Sequence, residues 1–549
     1  MTTTHPESYW PEGLPRTLEI PARSIDSNLT ETARRHGERT AIRFQGRRIS
    51  YARLQEMVTA LAGVLQGEMN LTRGDRVLLY MQNSPQYVIA YYGILRAGGV
   101  VVPVNPMNQK AELRYLAQDT GAKIIIAGLE LAPNALGLLE AGEVQHIIGA
   151  SYAEMADPDY DIPLPAPLPD LCEAGFEGPG RYRFSDVVQS PARPRPAGTG
   201  ADDLAVIPYS SGTTGQPKGC MHSHRTVMTT LIGTTTWTPS DCDSITLATL
   251  PFFHVTGMQS SMNVPIYRGS TIVILTRWNP VHAAQLIERY AVTHWASIST
   301  MAIDLLNNPE AEAHDLGSLR TIGGGGAAMP DAIAVKLKAR IGQPYVEGYG
   351  LSETMAALHI NPPEATREQC LGVPIFSVDS RIVAPGTTTE LPAGEAGEII
   401  THAPQVFLGY WQNPEATREA FVDLDGKRFF RTGDIAYRDE DGYFFMVDRV
   451  KRMINVSGFK VWPAEVETMM LHHPGIAEAC VVGASDTRRG EFVKAHVVRK
   501  AGAADSLDED QIIGWCRQEM AAYKCPRQIV FAETLPKSAT GKVLWKDLS

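Results

Sequence analysis

The residue types best suited to chemistry lie in one short stretch, residues 210–219, which reads SSGTTGQPKG. It contains three glycines, four hydroxyl side chains and one lysine, directly after the apolar run 204–207. Glycines let backbone N–H groups approach an anion, hydroxyls donate to phosphate oxygens, and lysine supplies positive charge. The stretch predicts a phosphate-binding loop, with an ordinary surface turn as the alternative. It is not a Walker A loop, because Pro217 precedes Lys218 and no Gly-Lys-Ser/Thr opens a helix.

A second stretch, residues 345–354 (YVEGYGLSET), places an aromatic ring, a hydroxyl and a carboxylate around two glycines. Its pattern is that of a strand ending in a glycine turn. Residues 350–354 also approach the G-x-S-x-G elbow of serine hydrolases, although the closing glycine is absent. Upstream, residues 323–328 (GGGGAA) match G-x-G-x-x-A, and Glu347 follows about twenty residues later, as in a dinucleotide-binding fold. That alternative leaves the loop at 210–219 unexplained.

Together these stretches resemble the motifs of the adenylate-forming superfamily, which comprises acyl-CoA synthetases, luciferases and carrier-protein adenylation domains. The resemblance runs in the family's order from residues 96–105 (RAGGVVVPVN) to Lys542 and so covers nearly the whole chain. It implies that ATP is bound by three segments: Ser210, Ser211, Gly212, Thr213, Thr214, Gly215 and Lys218 at the phosphates; Gly325, Gly326 and Ala327 beside the adenine and acyl pockets; and Glu347, Gly348, Tyr349, Gly350, Leu351 and Ser352 in the second nucleotide motif.

Within the second nucleotide motif the resemblance gives three side chains separate roles. The Tyr349 ring stacks on adenine, the Ser352 hydroxyl reaches the α-phosphate, and the Glu353 carboxylate holds the Mg²⁺ that neutralises ATP. Ser352 stands where the family usually has threonine, and both residues supply a hydroxyl. The resemblance therefore makes Glu353 both a catalytic and a metal-binding candidate.

The C-terminal part of the sequence carries the remaining motifs of the resemblance. Asp434, in RTGD, matches the aspartate that accepts hydrogen bonds from both ribose hydroxyls, and Arg449 matches a second ribose contact. Lys451 stands at the hinge of a domain rotation, and Gly458 leaves room for the pantetheine arm of coenzyme A. Lys542, in the frame PKSATGK, occupies the place of the family's catalytic lysine. Taken singly, Asp434 and Arg449 are also consistent with ordinary surface charges.

The acid substrate is predicted from the segment LPFFHVTG at 250–257, where His254 resembles the family's gate beside the substrate carboxylate. A structural histidine is the alternative. No acidic residue occurs between Asp243 and Glu288, which disfavours an α-amino acid because its ammonium would be buried without a partner. The four glycines at 323–326 are expected to remove side chains from the pocket wall, and apolar residues are expected to line the acyl channel: Val255, Met258, Trp295, Met301 and Met355. This lining favours a medium- or long-chain fatty acid, with an aryl or branched acid as the alternative.

These motifs need a scaffold in which strands alternate with helices. Helical patterns at 28–35 and 51–66 flank a strand at 40–44. Strands and helices then alternate at 75–80, 86–96, 100–104, 111–121 and 123–127, and alternation resumes from 204 to about 398. Such alternation predicts right-handed βαβ units around parallel sheets. Proline-rich loops are expected at 156–169 and 190–200, and short β segments and turns at 426–442.

A chain of 549 residues is too long for a single hydrophobic core, so two or more domains are expected. The predicted fold class is α/β, with a large N-terminal body of several subdomains around parallel βαβ sheets at 1–448 and a small mobile α/β domain at 449–549. A net charge of −11 argues against a nucleic-acid or anionic-membrane partner. Apolar runs are too short to span a bilayer, and no targeting segment is readable. Seven cysteines without a Cys-x-x-Cys pair favour reduced thiols in the cytoplasm.

The whole sequence predicts an ATP-dependent, AMP-forming acyl-CoA synthetase. In the family's reaction a carboxylate attacks the α-phosphate to give acyl-AMP and pyrophosphate, and the thiol of coenzyme A then displaces AMP. ATP, Mg²⁺ and coenzyme A are the expected cofactors, and a small carboxylic acid is the expected substrate. An adenylating enzyme that loads a carrier protein and a nucleotide-binding regulator without turnover are the alternatives. The sequence indicates no oligomeric state, and Asn455 stands where some relatives have a thioester-step lysine.

Overall fold

The computed structural model of the protein describes residues 9–210, 217–326, 328–449, 452–456, 459–486, 490–500, 507–537 and 543–548. Its helices are α1 Asp26–His36, α2 Tyr51–Gly67, α3 Pro85–Arg96, α4 Lys110–Thr120, α5 Ala132–Glu140, α6 Phe184–Val187, α7 His224–Trp237, α8 Val264–Arg268, α9 Pro280–Tyr290, α10 Ser299–Asn307, α11 Pro309–Glu312, α12 Asp331–Ile341, α13 Pro414–Glu419, α14 Pro463–Leu471 and α15 Glu509–Glu519. A π-helix, Gly257–Asn263, leads directly into α8.

The first strands are β1 Thr40–Phe44, β2 Arg47–Ser50, β3 Arg76–Tyr80, β4 Val100–Pro103, β5 Ile124–Gly128, β6 His146–Ala150, β7 Arg181–Arg183, β8 Leu204–Val206, β9 Tyr209–Ser210, β10 Lys218–Gly219, β11 His222–Ser223, β12 Ile245–Ala248, β13 Thr271–Ile274 and β14 His294–Ser297. The later strands are β15 Thr321–Gly325, β16 Tyr345–Leu351, β17 Ala356–Ile360, β18 Val373–Pro374, β19 Asp379–Val383, β20 Gly397–His402, β21 Phe421–Leu424, β22 Lys427–Arg438, β23 Phe444–Arg449, β24 Ile454–Val456, β25 Phe459–Val461, β26 Ile476–Asp486, β27 Gly490–Arg499 and β28 Gln528–Phe531.

Two large sheets form the N-terminal body. Among the described residues, the central sheet has the order β18-β17-β16-β15-β14-β12-β13-β1-β2, and the N-terminal sheet has the order β11-β8-β4-β3-β5-β6-β7. The run from β16 to β1 is parallel throughout, as is the run from β8 to β7. The expected α/β fold with parallel sheets is confirmed.

The second half of the chain adds two smaller sheets. One is antiparallel, with the order β19-β20-β22-β21 and β23 beside β22. The other lies in the C-terminal part, with the order β25-β24-β27-β26, and β28 pairs with β27 in parallel. The C-terminal sheet and α14 and α15 share a buried apolar cluster of their own. The smaller C-terminal α/β unit of the predicted fold class is therefore present.

Local sequence explains several element boundaries. Ser50 caps α2, since its hydroxyl accepts a hydrogen bond from the backbone N–H of Arg53 at 3.2 Å. Gly121 ends α4 in the left-handed region, with φ of 63°. Strand β5 is buried at every position, as expected for a parallel strand covered by helices on both faces. Among the described residues, no helix is long and apolar enough to cross a membrane.

The predicted alternation of strand and helix continues only to β16. Beyond this strand the chain reverses in the turn Ser352–Thr354, and β17 to β20 follow as antiparallel pairs, so the prediction of alternation up to 398 is wrong there. The prediction of short β segments at 426–442 is also wrong, because β22 is one strand of 12 residues. Register shifts against β20 and β23, and Gly433 at φ of 71°, interrupt its two-residue periodicity.

Candidate active site

A hairpin closes the predicted phosphate loop. Strands β9 and β10 pair antiparallel, with Ser210 opposite Lys218 and Tyr209 opposite Gly219. The two ends of the loop are thus held side by side, and Ser210 and Lys218 are neighbours across the pair. The other predicted phosphate ligands lie outside the described residues: Ser211, Gly212, Thr213, Thr214 and Gly215. Their binding role stays a prediction.

A segment from much later in the chain runs beside this hairpin. The N–H of Trp411 donates to the carbonyl of Gly219 at 2.7 Å, and the N–H of Met221 donates to the carbonyl of Gly409 at 3.0 Å. Residues 407–411 therefore extend the backbone ladder of the phosphate hairpin. This pairing carries the side chain of Tyr410 to the site.

Glu353, the predicted magnesium ligand, lies in the turn after β16 and is 9% exposed. Its Oε1 accepts a hydrogen bond from the Tyr410 hydroxyl at 3.0 Å, and its backbone carbonyl accepts from the N–H of Phe407 at 2.8 Å. The Lys218 ammonium lies 5.0 Å from the centre of the Tyr410 ring. Burial, followed by the charge of Glu353, raises the pKa of Tyr410, so the phenol stays protonated and donates. The turn and the hairpin are thus joined at one place.

His222, at the start of β11, makes a second link between the hairpin and the turn. Burial lowers the pKa of His222 to about 4, so the ring is neutral at pH 7. Its Nε2–H donates to the backbone carbonyl of Ser352 at 2.7 Å, while Nδ1 lies 3.2 Å from Thr226 Oγ1. The backbone that carries the predicted α-phosphate hydroxyl is thereby fixed to the strand that follows the phosphate loop.

The predicted adenine and ribose contacts also come together. The Tyr349 hydroxyl donates to Asp434 Oδ2 at 2.7 Å, and both side chains are buried, with Asp434 only 2% exposed. Asp434 on β22 pairs with Arg449 on β23, so the two predicted ribose residues share one register position. This arrangement brings the second nucleotide motif on β16 into contact with the RTGD motif on β22.

The glycines of β15 have a packing role that the sequence analysis did not predict. A Cβ at Gly325 would lie 2.2 Å from the carbonyl oxygen of Gly348, and a Cβ at Gly324 would lie 1.8 Å from that of Ser297. The glycines therefore let β15 pack closely between β14 and β16, rather than only clearing a pocket wall. Gly326 follows with φ of 94°, which favours glycine. Its neighbour Ala327 lies outside the described residues.

Glu347, on β16, is bound to backbone on both sides. Its Oε2 accepts from the N–H of Met329 at 3.2 Å, and its Oε1 accepts from the N–H of Gln369 at 3.0 Å. The side chain is 7% exposed, and burial raises the pKa of Glu347 to about 7. Glu347 thus holds two loops against the nucleotide strand, and direct contact with the nucleotide stays a prediction.

The rest of the second nucleotide motif follows from the same strand pair. Gly348 pairs with Gly325 across β15 and β16. A Cβ at Gly350 would lie 1.6 Å from the carbonyl oxygen of Ala356, so only glycine fits there. The N–H of Leu351 donates to Thr354 Oγ1 at 2.9 Å, which fixes the turn that presents Ser352 and Glu353.

His254, the predicted carboxylate gate, is exposed and lies just before the π-helix. Buried Asn83 holds this segment: its amide donates to the carbonyl of Leu250 at 2.9 Å and its oxygen accepts from the N–H of Phe252 at 2.7 Å. The five residues expected to line the acyl channel divide between two buried clusters. Val255, Met258 and Met355 belong to one, and Trp295 and Met301 belong to the other.

The remaining predicted residues are Lys451, Gly458 and Lys542, which lie outside the described residues. Two residues of the site were missed by sequence reasoning, His222 and Tyr410. His222 stands three residues after Gly219 and so is close to a recognised motif, but Tyr410 is 57 residues from Glu353 and carries no sequence signal of that contact.

Comparisons with known proteins agree with this arrangement. Residues 29–411 match the model of the AMP-binding enzyme family, and residues 465–542 match the C-terminal domain of AMP-binding enzymes. A long-chain-fatty-acid–CoA ligase of Bacillus subtilis (strain 168) is 34% identical over 546 residues, which cover 98% of this chain and 96% of the relative.

Solved structures show the same fold over nearly the whole chain. ATP-bound MatB from Rhodopseudomonas palustris is 29% identical with a TM-score of 0.83, covering 96% of this chain and 98% of that one. A fatty acyl CoA synthetase of Mycobacterium tuberculosis is 28% identical with a TM-score of 0.74, covering 96% and 97%. Since a family model spans most of the chain and a relative above 30% identity aligns from end to end, the chain belongs to the AMP-binding enzyme family and is an ATP-dependent acid–thiol ligase of its acyl-CoA synthetase branch.

Proposed function

We propose that the protein activates a medium- or long-chain fatty acid and transfers it to coenzyme A. The observation that carries this proposal is the end-to-end similarity, at 34% identity, to a ligase named for long-chain fatty acids. Similarity along the whole length includes the segments around His254 that are expected to meet the acid, which is why it bears on the substrate.

The surroundings of His254 support an apolar acid. Val255, Met258 and Met355 are buried in one apolar cluster, and Met355 directly follows the turn that carries Glu353. An acyl chain in this region therefore lies next to the predicted phosphate and metal groups. No acidic side chain occurs between Asp243 and Glu288 to pair with an amine.

The described residues divide the work of binding ATP. We propose that Ser210 and Lys218 bind the phosphates, which is supported by their pairing across the hairpin, and that Tyr349 and Asp434 bind adenine and ribose, which is supported by their mutual hydrogen bond. Glu353 fits a Mg²⁺ ligand, because proteins hold this ion through one or two carboxylates together with substrate phosphates, and Glu353 is a buried carboxylate beside the phosphate hairpin. Bound Mg²⁺ neutralises phosphate charge.

The two half-reactions require different groups at the same adenylate. We propose that Lys542 stabilises the charge shared by the attacking carboxylate and the α-phosphate, and that Gly458 admits the pantetheine arm. Both belong to the proposed mobile domain at 449–549, whose rotation about Lys451 presents them alternately to the body at 1–448. A cytoplasmic location is proposed as well, supported by the spacing of the seven cysteines.

The first experiment measures pyrophosphate release over a panel of fatty, aryl and branched acids, with and without coenzyme A. The proposal expects the highest kcat/KM for a fatty acid of medium or long chain, and acyl-CoA as the product. A preference for aryl acids would overturn the substrate. Formation of acyl-AMP without acyl-CoA would indicate loading of another acceptor.

Lys542→Ala tests the role of the terminal lysine. Loss of one preorganised donor is expected to slow adenylation roughly 100- to 1000-fold, while conversion of presynthesised acyl-AMP to acyl-CoA stays close to the wild-type rate. Single-turnover rates of each half-reaction provide the measurement. Equal losses in both half-reactions would contradict the assignment.

A further inference from the structure

Helix α4 makes contacts with the predicted phosphate hairpin through residues that none of the sequence motifs includes. Tyr115 and Asp119 lie four residues apart in the second half of α4, so they share one face of the helix. The Tyr115 hydroxyl donates to the carbonyl of Pro217 at 3.0 Å, and the Tyr209 hydroxyl donates to Asp119 Oδ2. One helix therefore contacts the chain on both sides of the phosphate loop.

Each contact is made at a neighbour of a predicted phosphate ligand. The carbonyl of Pro217 belongs to the peptide bond that leads into Lys218, so a hydrogen bond to this oxygen fixes the orientation of that peptide plane. Tyr209 directly precedes Ser210, and its ring meets the ring of Tyr115 edge to face, with centroids 6.5 Å apart. The two strands of the hairpin are thus held against α4 as well as against each other.

The same end of α4 also holds the segment at 407–411, which runs beside the hairpin. The backbone carbonyl of Asp119 accepts from Trp411 Nε1 at 2.9 Å, and the centre of the Trp411 ring lies 5.4 Å from Cζ of Arg76. Arg76, on β3, donates from Nε to the carbonyl of Thr120 at 2.7 Å. The end of α4 is therefore connected to the N-terminal sheet, to the hairpin and to its neighbouring segment.

Packing makes α4 a fixed support for these contacts. Leu113, Leu116 and Ala117 of α4 are buried in the apolar cluster of the N-terminal sheet, and Tyr115 and Tyr209 pack against that cluster. A helix whose apolar face is close-packed on a sheet has little freedom to shift. Hydrogen bonds from α4 therefore fix the hairpin relative to the sheet.

The phenols of both contacts are protonated and can donate. Burial, followed by the hydrogen bond to Asp119 and its charge, raises the pKa of Tyr209, and burial followed by the charge of Asp119 raises the pKa of Tyr115. A hydrogen bond to a carboxylate is about twice as strong as one between neutral groups. The contact of Tyr209 with Asp119 is therefore the stronger of the two.

We propose that Tyr115 and Asp119 are positioning residues for the use of ATP, because they hold the hairpin where its ends can meet the phosphates. This role rests on the proposed function, in which the hairpin binds the phosphates of ATP. Loss of one contact lets the hairpin occupy other arrangements, and the apparent affinity for ATP then falls with the fraction that stays competent. AMP lacks the pyrophosphate part of ATP, so its affinity should not depend on these contacts.

The test is isothermal titration calorimetry of Mg-ATP and of AMP into the full chain, without any acid so that no turnover occurs. Tyr115→Phe removes one neutral hydrogen bond and is expected to raise the Kd for Mg-ATP about 2- to 10-fold. Asp119→Ala removes the charge-assisted hydrogen bond and is expected to raise it roughly 10- to 100-fold. The Kd for AMP should stay at the wild-type value in both variants.

Two further variants control for effects on α4 itself. Gln118→Ala is the matched control, because Gln118 precedes Asp119 on the same helix and its amide donates to Glu143 Oε2 at 3.1 Å instead. We expect it to bind Mg-ATP as the wild type does. Asp119→Asn keeps an acceptor oxygen without the charge, so its Kd for Mg-ATP should lie between those of the wild type and Asp119→Ala.

Lys218→Met separates this role from the proposed function of the hairpin. Weaker binding of Mg-ATP in Lys218→Met, with wild-type binding in Tyr115→Phe and Asp119→Ala, would overturn the positioning role and leave the phosphate role of the hairpin standing. Wild-type binding of Mg-ATP in Lys218→Met would contradict the phosphate role and, with it, the positioning role. Equal losses of ATP and AMP affinity in Asp119→Ala would show that Asp119 only maintains the fold.

Discussion

Glu353 is held in place by contacts from a segment that sequence reasoning did not connect with it. The hydroxyl of Tyr410 and the backbone N–H of Phe407 both donate to Glu353, and His222 fixes the preceding carbonyl of Ser352. A carboxylate that accepts a hydrogen bond in this way has a defined orientation. The position of the predicted metal ligand therefore depends on Tyr410.

Replacing Tyr410 by Phe removes this hydrogen bond and leaves the ring. A hydrogen bond to a charged group contributes about 1.5–3 kcal/mol, so we expect the KM for Mg-ATP to rise roughly tenfold to 100-fold. Affinity for AMP should stay unchanged, because the proposed role of Glu353 is to hold the metal that accompanies the pyrophosphate part of ATP. Tyr443→Phe is the matched control, since its buried hydroxyl donates to the carbonyl of Ala365 at 2.8 Å, outside this group of contacts. A parallel loss of AMP affinity in Tyr410→Phe would show that Tyr410 only maintains the fold.

Glu347 is expected to make the stability of the protein depend on pH. Burial raises its pKa from 4.5 to about 7, so the folded protein retains a proton that the unfolded chain releases. Stability from this group is present below pH 4.5 and is lost as the pH rises to about 7, with a slope of at most about 1.4 kcal/mol per pH unit. Glu347→Gln does not titrate, so the urea midpoint of the wild type should fall relative to that of the variant as the pH rises through this window. Parallel pH profiles would contradict the raised pKa.

At the scale of elements, β15 and β16 show which features are readable from sequence. The early helices and strands match their predictions closely, as β1 does over Thr40–Phe44, because each has its own periodicity. The end of the alternation at β16 was missed, although β17 pairs with β16 across the short turn Ser352–Thr354 and β18 pairs with β17. The glycine pattern of β15 was recognised, but its cause lies in the backbone of neighbouring strands.

In the candidate site, too, the residue types were readable from the sequence and the side-chain contacts were not. Tyr349 and Asp434, which are predicted to bind adenine and ribose, were named from sequence, and the structure shows their mutual contact at 2.7 Å. The apolar residues expected to line one acyl channel divide between two clusters, with Trp295 in a different cluster from Met258. The sequence did not predict this division. Residue type reveals chemistry locally, whereas side-chain neighbours depend on the packing of whole sheets.

Gly325→Ala tests the close packing of these strands. A Cβ at this position would lie 2.2 Å from the carbonyl oxygen of Gly348, so β15 and β16 must separate. We expect the free energy of unfolding, measured by thermal denaturation, to fall by about 1–3 kcal/mol or more. AMP should also bind more weakly. Gly67→Ala is the matched control, because a Cβ at Gly67, the last residue of α2, meets nothing within 4 Å. A thermal transition in Gly325→Ala equal to that of the control would show that the strands have room for a side chain.

At the scale of the whole molecule, the body and the C-terminal part meet at Asp448, near the end of β23. Its Oδ2 accepts from the backbone N–H of Ala464 at 2.6 Å, at the start of α14, and its Oδ1 lies 3.6 Å from Arg452 Nη1. Arg452 also pairs with Glu467 on α14. These contacts connect the end of β23 with Arg452 and α14. They stabilise one arrangement of the body relative to the C-terminal part.

A rotation of the C-terminal part at this point must break the contacts of Asp448 with Ala464 and Arg452. The variant Lys451→Pro tests whether the pivot of such a rotation is at Lys451. Proline fixes φ near −65° and removes a backbone donor, which locks the chain in the arrangement that it fits. We expect adenylation to persist and thioester formation to fail, because Lys542 and Gly458 both follow the proposed pivot in the sequence and, in the proposed mechanism, reach the adenylate in turn. Single-turnover kinetics of each half-reaction measures this, with circular dichroism to establish folding. A normal thioester step in a well-folded variant would place the pivot elsewhere or show that both chemistries proceed without rotation.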